Sequence, residues 1–188
     1  MTHTISAEPK ATDLSPWLQS YYLLRAAVAG VWMAAAFMFG TAVFAVAAVL
    51  LVLYPAWDAF ANLVDAQHNG GWKLNPTQTV NIVVSLVTAG AVAVALGFGM
   101  NAVLGVFGLW ATLAGLLQLA TGIRRWRSGA QWAMVLSGAQ SAVVGLLFLK
   151  QAAAPAVPTI ADVAPYAGFG AFYFLASALW LIASRRRL

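Results

Sequence analysis

The chain has 188 residues, of which 62% are hydrophobic and 8% are charged, and its formal net charge is +5. Soluble domains carry charged side chains at about 25% of positions, and a soluble fold of this length has too little interior to hide so much apolar surface. The composition therefore excludes an ordinary water-soluble domain and indicates a protein embedded in the lipid bilayer. The chain has no cysteine, which excludes disulfides and thiolate metal sites.

The basic residues lie where apolar runs end. Two clusters contain most of them: Arg124, Arg125 and Arg127, and Arg185 to Arg187. Lys and Arg beside membrane spans stay on the cytoplasmic side of the membrane, and this rule accounts for both clusters. We therefore expect a lipid bilayer and no nucleic acid as the partner of this basic chain.

The first sixteen residues are polar and contain Pro9 and Pro16. They lack the basic-then-apolar order of a signal peptide, so residues 1–16 are predicted to form a cytoplasmic tail. Trp17, Tyr21 and Tyr22 follow and are typical of an aromatic anchor at the membrane surface. The remaining residues, 17–188, are predicted to form a single transmembrane domain.

The run from Leu23 to Leu53 is apolar except for Arg25 and Thr41. One helix of this length far exceeds the ~20 residues that cross a bilayer, so the alternatives are one overlong span or two spans joined at Gly40. Only the second alternative gives six spans with both termini inside and nearly all basic residues on the cytoplasmic side.

The predicted fold class is therefore all-α, a polytopic bundle of six transmembrane spans arranged as three helical hairpins. Gly97-Phe98-Gly99 repeats the break at Phe39-Gly40, which suggests the repeated hairpin. Asn75 is a good N-cap and Pro76 suits the first helical position of the third span. The spans are expected at about 18–39, 42–67, 76–98, 101–123, 129–150 and 160–184.

Polar residues recur at helical spacing in the second and third spans. Asp58, Asn62 and Asp65 share one face of the second span. Gln78, Asn81 and Ser85 share one face of the third span.

Arg25 and Asp58 are predicted to form an ion pair. They lie at similar depths, about 10 Å and 13 Å from the cytoplasmic ends of their antiparallel spans, and intramembrane charges usually pair. We expect Asn62, Gln78 and Asn81 to complete the hydrogen bonds of this pair. Two interpretations stay open, a structural clamp and a proton or ion relay. No comparable acid continues the path to the outer side, where Asp162 is the only acid and is expected to cap the sixth span. This favours the clamp.

Small residues follow one face of each of two later spans. In lipid, such faces let helices approach closely, and we interpret them as contact faces within the bundle. They are Gly108, Gly115 and Gly122 in the fourth span and Gly138, Ser141 and Gly145 in the fifth.

Catalytic and cofactor sites have no support in the sequence. Asp65 and His68 lie three residues apart, but two ligands do not make a metal site. Both histidines lie outside the membrane core, which argues against haem. We find no nucleophile–base arrangement, so the expectation is a protein without enzymatic activity, metal or cofactor.

The segments Gly105–Arg125 and Gln131–Phe148, with their Gly/Ala/Leu-rich spans, resemble the HdeD family of bacterial inner-membrane proteins. The resemblance covers spans three to six, and spans one and two fit it less well. It implies a multi-pass inner-membrane protein with a role in acid resistance or stress, and it supplies no catalytic residues. The alternatives are an accessory subunit that docks on other membrane subunits or on its own copies, and a small proton or ion pathway.

Overall fold

The computed structural model describes residues 16–124 and 132–185. These residues are helical without strands, and they contain six helices long and apolar enough to cross a membrane. The chain is therefore a multi-pass membrane protein. The helices are α1 (Pro16–Ala35, extended by a π-helical turn, Ala36–Gly40), α2 (Phe44–His68), α3 (Pro76–Ala95), α4 (Met100–Arg124), α5 (Trp132–Ala152) and α6 (Ile160–Arg185).

The predicted fold class is confirmed, and each described span begins and ends within about three residues of its predicted position. Several predictions lie outside the described residues. They are the tail up to residue 15, the first residues of the fifth span, and Arg125, Arg127, Arg186 and Arg187.

Gly40 ends the first span as expected, but without the left-handed conformation that a glycine commonly adopts at the end of a helix. The first span ends in a π-helical turn, and Gly40 is not among the glycines with positive φ. It is buried against α6, where an added Cβ would lie 3.0 Å from Ile160 Cγ2. The residue is therefore small because a neighbouring helix packs on it. The left-handed conformation is instead found at Gly99, with a φ of 103°.

Asn75 does not cap α3 with its side chain, so this prediction was wrong. Its amide Nδ2 instead donates to the carbonyl oxygens of Asn69 and Gly71, both at 2.8 Å. The side chain is buried and holds the α2–α3 loop together from inside. Pro76 occupies the start of α3 as expected.

The six helices form a closed ring in chain order. Each helix contacts the next one, and α1 contacts α6 to complete the ring. Packing is close between α2 and α3, α4 and α5, and α1 and α6, whereas α1/α2 and α5/α6 touch sparsely. The closely packed antiparallel pairs are thus offset by one helix from the hairpins suggested by the breaks at residues 40 and 97–99. We call the two sparse contacts the α1/α2 seam and the α5/α6 seam.

The α4/α5 contact brings backbones together through glycine. An added Cβ on Gly115 would lie 2.6 Å from Gly138 O, and one on Gly145 would lie 2.7 Å from Gly108 O. Gly122 faces Val135 in the same interface. Ser141 Oγ donates to Ala111 O at 2.9 Å, so it bonds across the contact as well. The stripe of small residues therefore lies where the two helices are closest.

The half of the bundle away from the chain termini is filled with apolar side chains. Leu51, Val92, Phe107 and Val163 are fully buried there and belong to one contiguous core. We call this part the apolar half. The other half, beside the first turn of α1 and the last turns of α2 and α6, is built differently.

Candidate functional site

An ion pair bridges the α1/α2 seam. Arg25 Nη2 of α1 donates to Asp58 Oδ1 of α2. Arg25 Nη1 also donates to Tyr21 Oη at 3.2 Å, and Tyr21 Oη donates to Ala61 O of α2 at 3.0 Å. The guanidinium lies 4.3 Å from the centre of the Phe174 ring, a cation–π contact with α6. Polar bonds thus join two helices that pack sparsely.

The second oxygen of Asp58 is also fully bonded. Oδ2 accepts from Asn62 Nδ2 at 3.0 Å and from Ser85 Oγ of α3 at 2.9 Å. Trp110 Nε1 of α4 in turn donates to Ser85 Oγ at 3.0 Å. The pair is therefore bonded directly within and between three helices, α1, α2 and α3; it reaches α4 through Ser85 and contacts α6 through Phe174, and neither charge is left without a partner.

Two of the expected partners of the pair lie elsewhere, which corrects the sequence-based expectation. Gln78 Nε2 donates to Asp65 Oδ2 at 3.2 Å, not to the pair. The oxygens Gln78 Oε1 and Asn81 Oδ1 are buried without a partner among the described residues.

The reason is the register of two antiparallel helices. Ser85 lies level with Asp58 and Gln78 level with Asp65, so Gln78 is about 10 Å too close to the loop to reach Asp58. Counting equal numbers of residues outward from the Gly70–Gly71 turn, along α2 in one direction and α3 in the other, would have indicated this register from the sequence.

A cavity of about 540 Å³ occupies the half of the bundle beside the chain termini, and all six helices line it. Its lining extends to Leu18, Thr77 and Trp132, which lie in the first turns of α1, α3 and α5 at that end. At mid-bundle it ends on Tyr54 and Trp110, whose rings meet edge to face with centres 5.8 Å apart. We call this layer, which also includes Tyr166 with its ring centre 6.0 Å from that of Trp110, the aromatic floor.

The α5/α6 seam is bridged by polar groups much as the α1/α2 seam is. Tyr173 Oη donates to Gln140 Oε1 at 2.7 Å, and Tyr166 Oη lies 2.8 Å from Ser141 Oγ. All four side chains line the cavity. The cavity thus lies between two sparsely packed seams, and hydrogen bonds take the place of close packing along both of them.

The charged residues of the lining, within the described part of the chain, are Arg25, Asp58 and Asp65. The first two form the one ion pair recorded there. Asp65 accepts hydrogen bonds from the neutral amides of Asn69, at 3.0 Å, and Gln78. Within residues 16–124 and 132–185 no cluster of three His, Asp or Glu side chains could hold a metal.

Sequence reasoning missed three contributors to this site. Tyr21 was interpreted as a surface anchor, although its hydroxyl joins Arg25 to α2. Trp110 and Phe174 come from α4 and α6, far from Arg25 along the chain. A buried tryptophan at mid-span, which needs a partner for its N–H, was the available indication for Trp110.

Residues 80–150 match the model of a family described as a short repeat of unknown function (DUF308), whose members are membrane-associated. The match covers most of α3, all of α4 and most of α5, and so includes the glycine-packed α4/α5 contact. No curated protein and no solved structure matches the chain. The description of the matched repeat gives no activity, so the geometry of the cavity carries the functional argument.

Proposed function

We propose that this chain is a non-enzymatic plasma-membrane protein of HdeD type, with both termini in the cytoplasm, that supports acid or stress tolerance by binding a small molecule in its cavity. The cavity is the observation that carries this proposal. Its volume of about 540 Å³ falls within the range of roughly 300–1,000 Å³ that is usual for sites of small ligands. By the positive-inside rule, its open end faces the cytoplasm.

The lining supports binding rather than catalysis. Its polar groups bond to one another, as Tyr173 does to Gln140 and Tyr166 does to Ser141. No pair in the described lining presents a nucleophile beside a general base, which acyl-transfer or hydrolytic chemistry would need.

A proton or ion pathway is less well supported than a binding site. The polar chain runs from Asp58 through Ser85 to Trp110 and meets the aromatic floor. Beyond it lies the apolar half, where Leu51, Val92 and Phe107 are fully buried. A continuous relay needs polar groups or water across the whole membrane, whereas the hydrogen-bonded chain from Asp58 stops at the aromatic floor. The ion pair therefore acts as the clamp.

The proposal is tested by filling the cavity in the living cell. Ala114 lines the cavity on α4, whereas Leu116, two residues further, is 50% exposed on the lipid-facing side. In a strain from which the gene has been deleted, expression of the Leu116→Trp variant should restore survival of an acid shock. Expression of the Ala114→Trp variant should not restore it. Both variants must reach the membrane at wild-type abundance. Full restoration by Ala114→Trp, or a deletion strain as acid-tolerant as the wild type, would contradict the proposal.

A further inference from the structure

We infer that the ligand of this cavity is a bulky aromatic or amphipathic organic cation, held by the carboxylate of Asp65 and by the aromatic lining. This inference rests on the proposed function and adds the chemical class of the ligand. It depends on three features of the described lining: its charge, its aromatic content and the position of the third charged residue.

The charge of the lining is unbalanced. Arg25 and Asp58 neutralise each other, and both carboxylate oxygens and both terminal guanidinium nitrogens are bonded to protein groups. Asp65 remains, with amide donors but no basic partner among the described residues. A carboxylate in a site of reduced dielectric attracts a cation more strongly than one in bulk water. The described lining therefore has one negative charge that a ligand could neutralise.

The walls have the composition that organic cations favour. Eleven of the thirty described lining residues are aromatic, against 12% in the whole chain. Aromatic faces attract cations, and aromatic cages are a common means of binding quaternary ammonium groups. The site already contains one such contact, because the guanidinium of Arg25 lies over the Phe174 ring. Inorganic ions would not use this apolar surface.

The position of Asp65 suits the headgroup of such a ligand. It lies one turn before the end of α2, close to the open end of the cavity, about 10 Å from the level of Asp58. A cation bound there can direct its apolar part inward, toward Tyr54 and Trp110. Charges in open solvent are screened over about 8 Å at physiological salt, whereas a carboxylate inside the cavity is screened much less.

The probes are tetraphenylphosphonium and tetraphenylborate, two ions of matched size and shape but opposite charge. Each is titrated by equilibrium dialysis against the full chain in zwitterionic nanodiscs, with empty nanodiscs as the blank. We expect saturable binding of tetraphenylphosphonium and none of tetraphenylborate. Asp65→Asn should weaken binding of the cation about tenfold or more. Asp162→Asn, at the start of α6 and outside the cavity lining, should leave it unchanged.

Saturable binding of the borate but not the phosphonium would overturn the ligand class, as would equal binding of the phosphonium by Asp65→Asn and wild type. Binding of neither ion above the blank would also overturn it. The amide introduced by Asp65→Asn keeps one acceptor oxygen, so it preserves the bond from one of the two donors, Asn69 or Gln78. The comparison of the two ions on the wild-type protein needs no variant to fold. The acid-survival assay with Ala114→Trp uses no chosen ligand, so failure of the ligand class and failure of the binding function are distinguishable.

Discussion

Removing one member of the Arg25–Asp58 pair should cost far more than removing both. Asp58→Leu leaves a guanidinium that is 14% exposed, with Tyr21 and the Phe174 ring as its remaining partners. Breaking a buried pair by deleting one partner costs about 3–5 kcal/mol. Because this pair borders a cavity, the lower end applies, and we expect the free energy of unfolding to fall by about 3 kcal/mol.

Arg25→Met should cost less, about 2 kcal/mol, because Asp58 keeps two donors, Asn62 and Ser85. The double variant with Asp58→Leu and Arg25→Met replaces both charges by apolar groups of similar size, and such replacements are often close to neutral. We expect it to cost about 2 kcal/mol in total, no more than the milder single variant. The two substitutions should therefore be strongly non-additive, with a coupling energy of about 3 kcal/mol.

The assay is unfolding of the purified protein in mixed micelles by increasing SDS fraction, followed by far-UV circular dichroism, for the wild type and the three variants. Micelles provide the same apolar surroundings to all four proteins, so differences between them report on the pair. If the loss of unfolding free energy in the double variant equals the sum of the losses in the two single variants within about 0.5 kcal/mol, the clamp is refuted, since independent sites add in that way.

Three further predictions use the same assay. Gly115→Leu should lower the free energy of unfolding by about 3 kcal/mol, because its Cβ would lie 2.5 Å from a backbone nitrogen of α5. Gly90→Leu is the control, since a Cβ at Gly90 has nothing within 4 Å, and it should change stability little. Equal effects of the two substitutions would contradict the close α4/α5 contact. Ser85→Ala should cost about 2 kcal/mol, since it removes a donor to Asp58; a neutral result would mean that water replaces the hydroxyl. Gly99→Ala should cost about 1 kcal/mol from its positive φ alone, as no neighbour lies within 4 Å; unchanged stability would exclude strain at this turn.

The number of spans and their ends could be read from the sequence because they follow from local properties. Apolar length, glycine breaks and the location of arginines are each visible within about twenty residues. The Arg25–Asp58 pair could also be predicted from the sequence, since residues of two consecutive antiparallel spans can be assigned to the same depth in the membrane. The structure places these two side chains in contact.

The partners of the pair were harder to predict because they depend on the register between α2 and α3 and on the contact of α6 with α1 that closes the ring of helices. Gln78 and Ser85 share a helix face, and only the axial offset of α2 and α3 decides which of them meets Asp58. Phe174 reaches Arg25 because α6 packs on α1, and no neighbouring sequence specifies that contact. The cavity arises from two sparse seams, a property of six helices together that no single helix encodes.

The most direct test of the account is the side from which the cavity can be reached. The chain has no cysteine, so single substitutions can be labelled without background. Ser137 lines the cavity and Ala153 is exposed in the loop between α5 and α6, and each is replaced by cysteine in a separate variant, Ser137→Cys and Ala153→Cys. A membrane-impermeant maleimide should label the first only in inside-out vesicles and the second only in right-side-out vesicles. Labelling of Ser137→Cys from the outer side, or of both positions from the same side, would contradict a cavity that opens to the cytoplasm and ends on the aromatic floor.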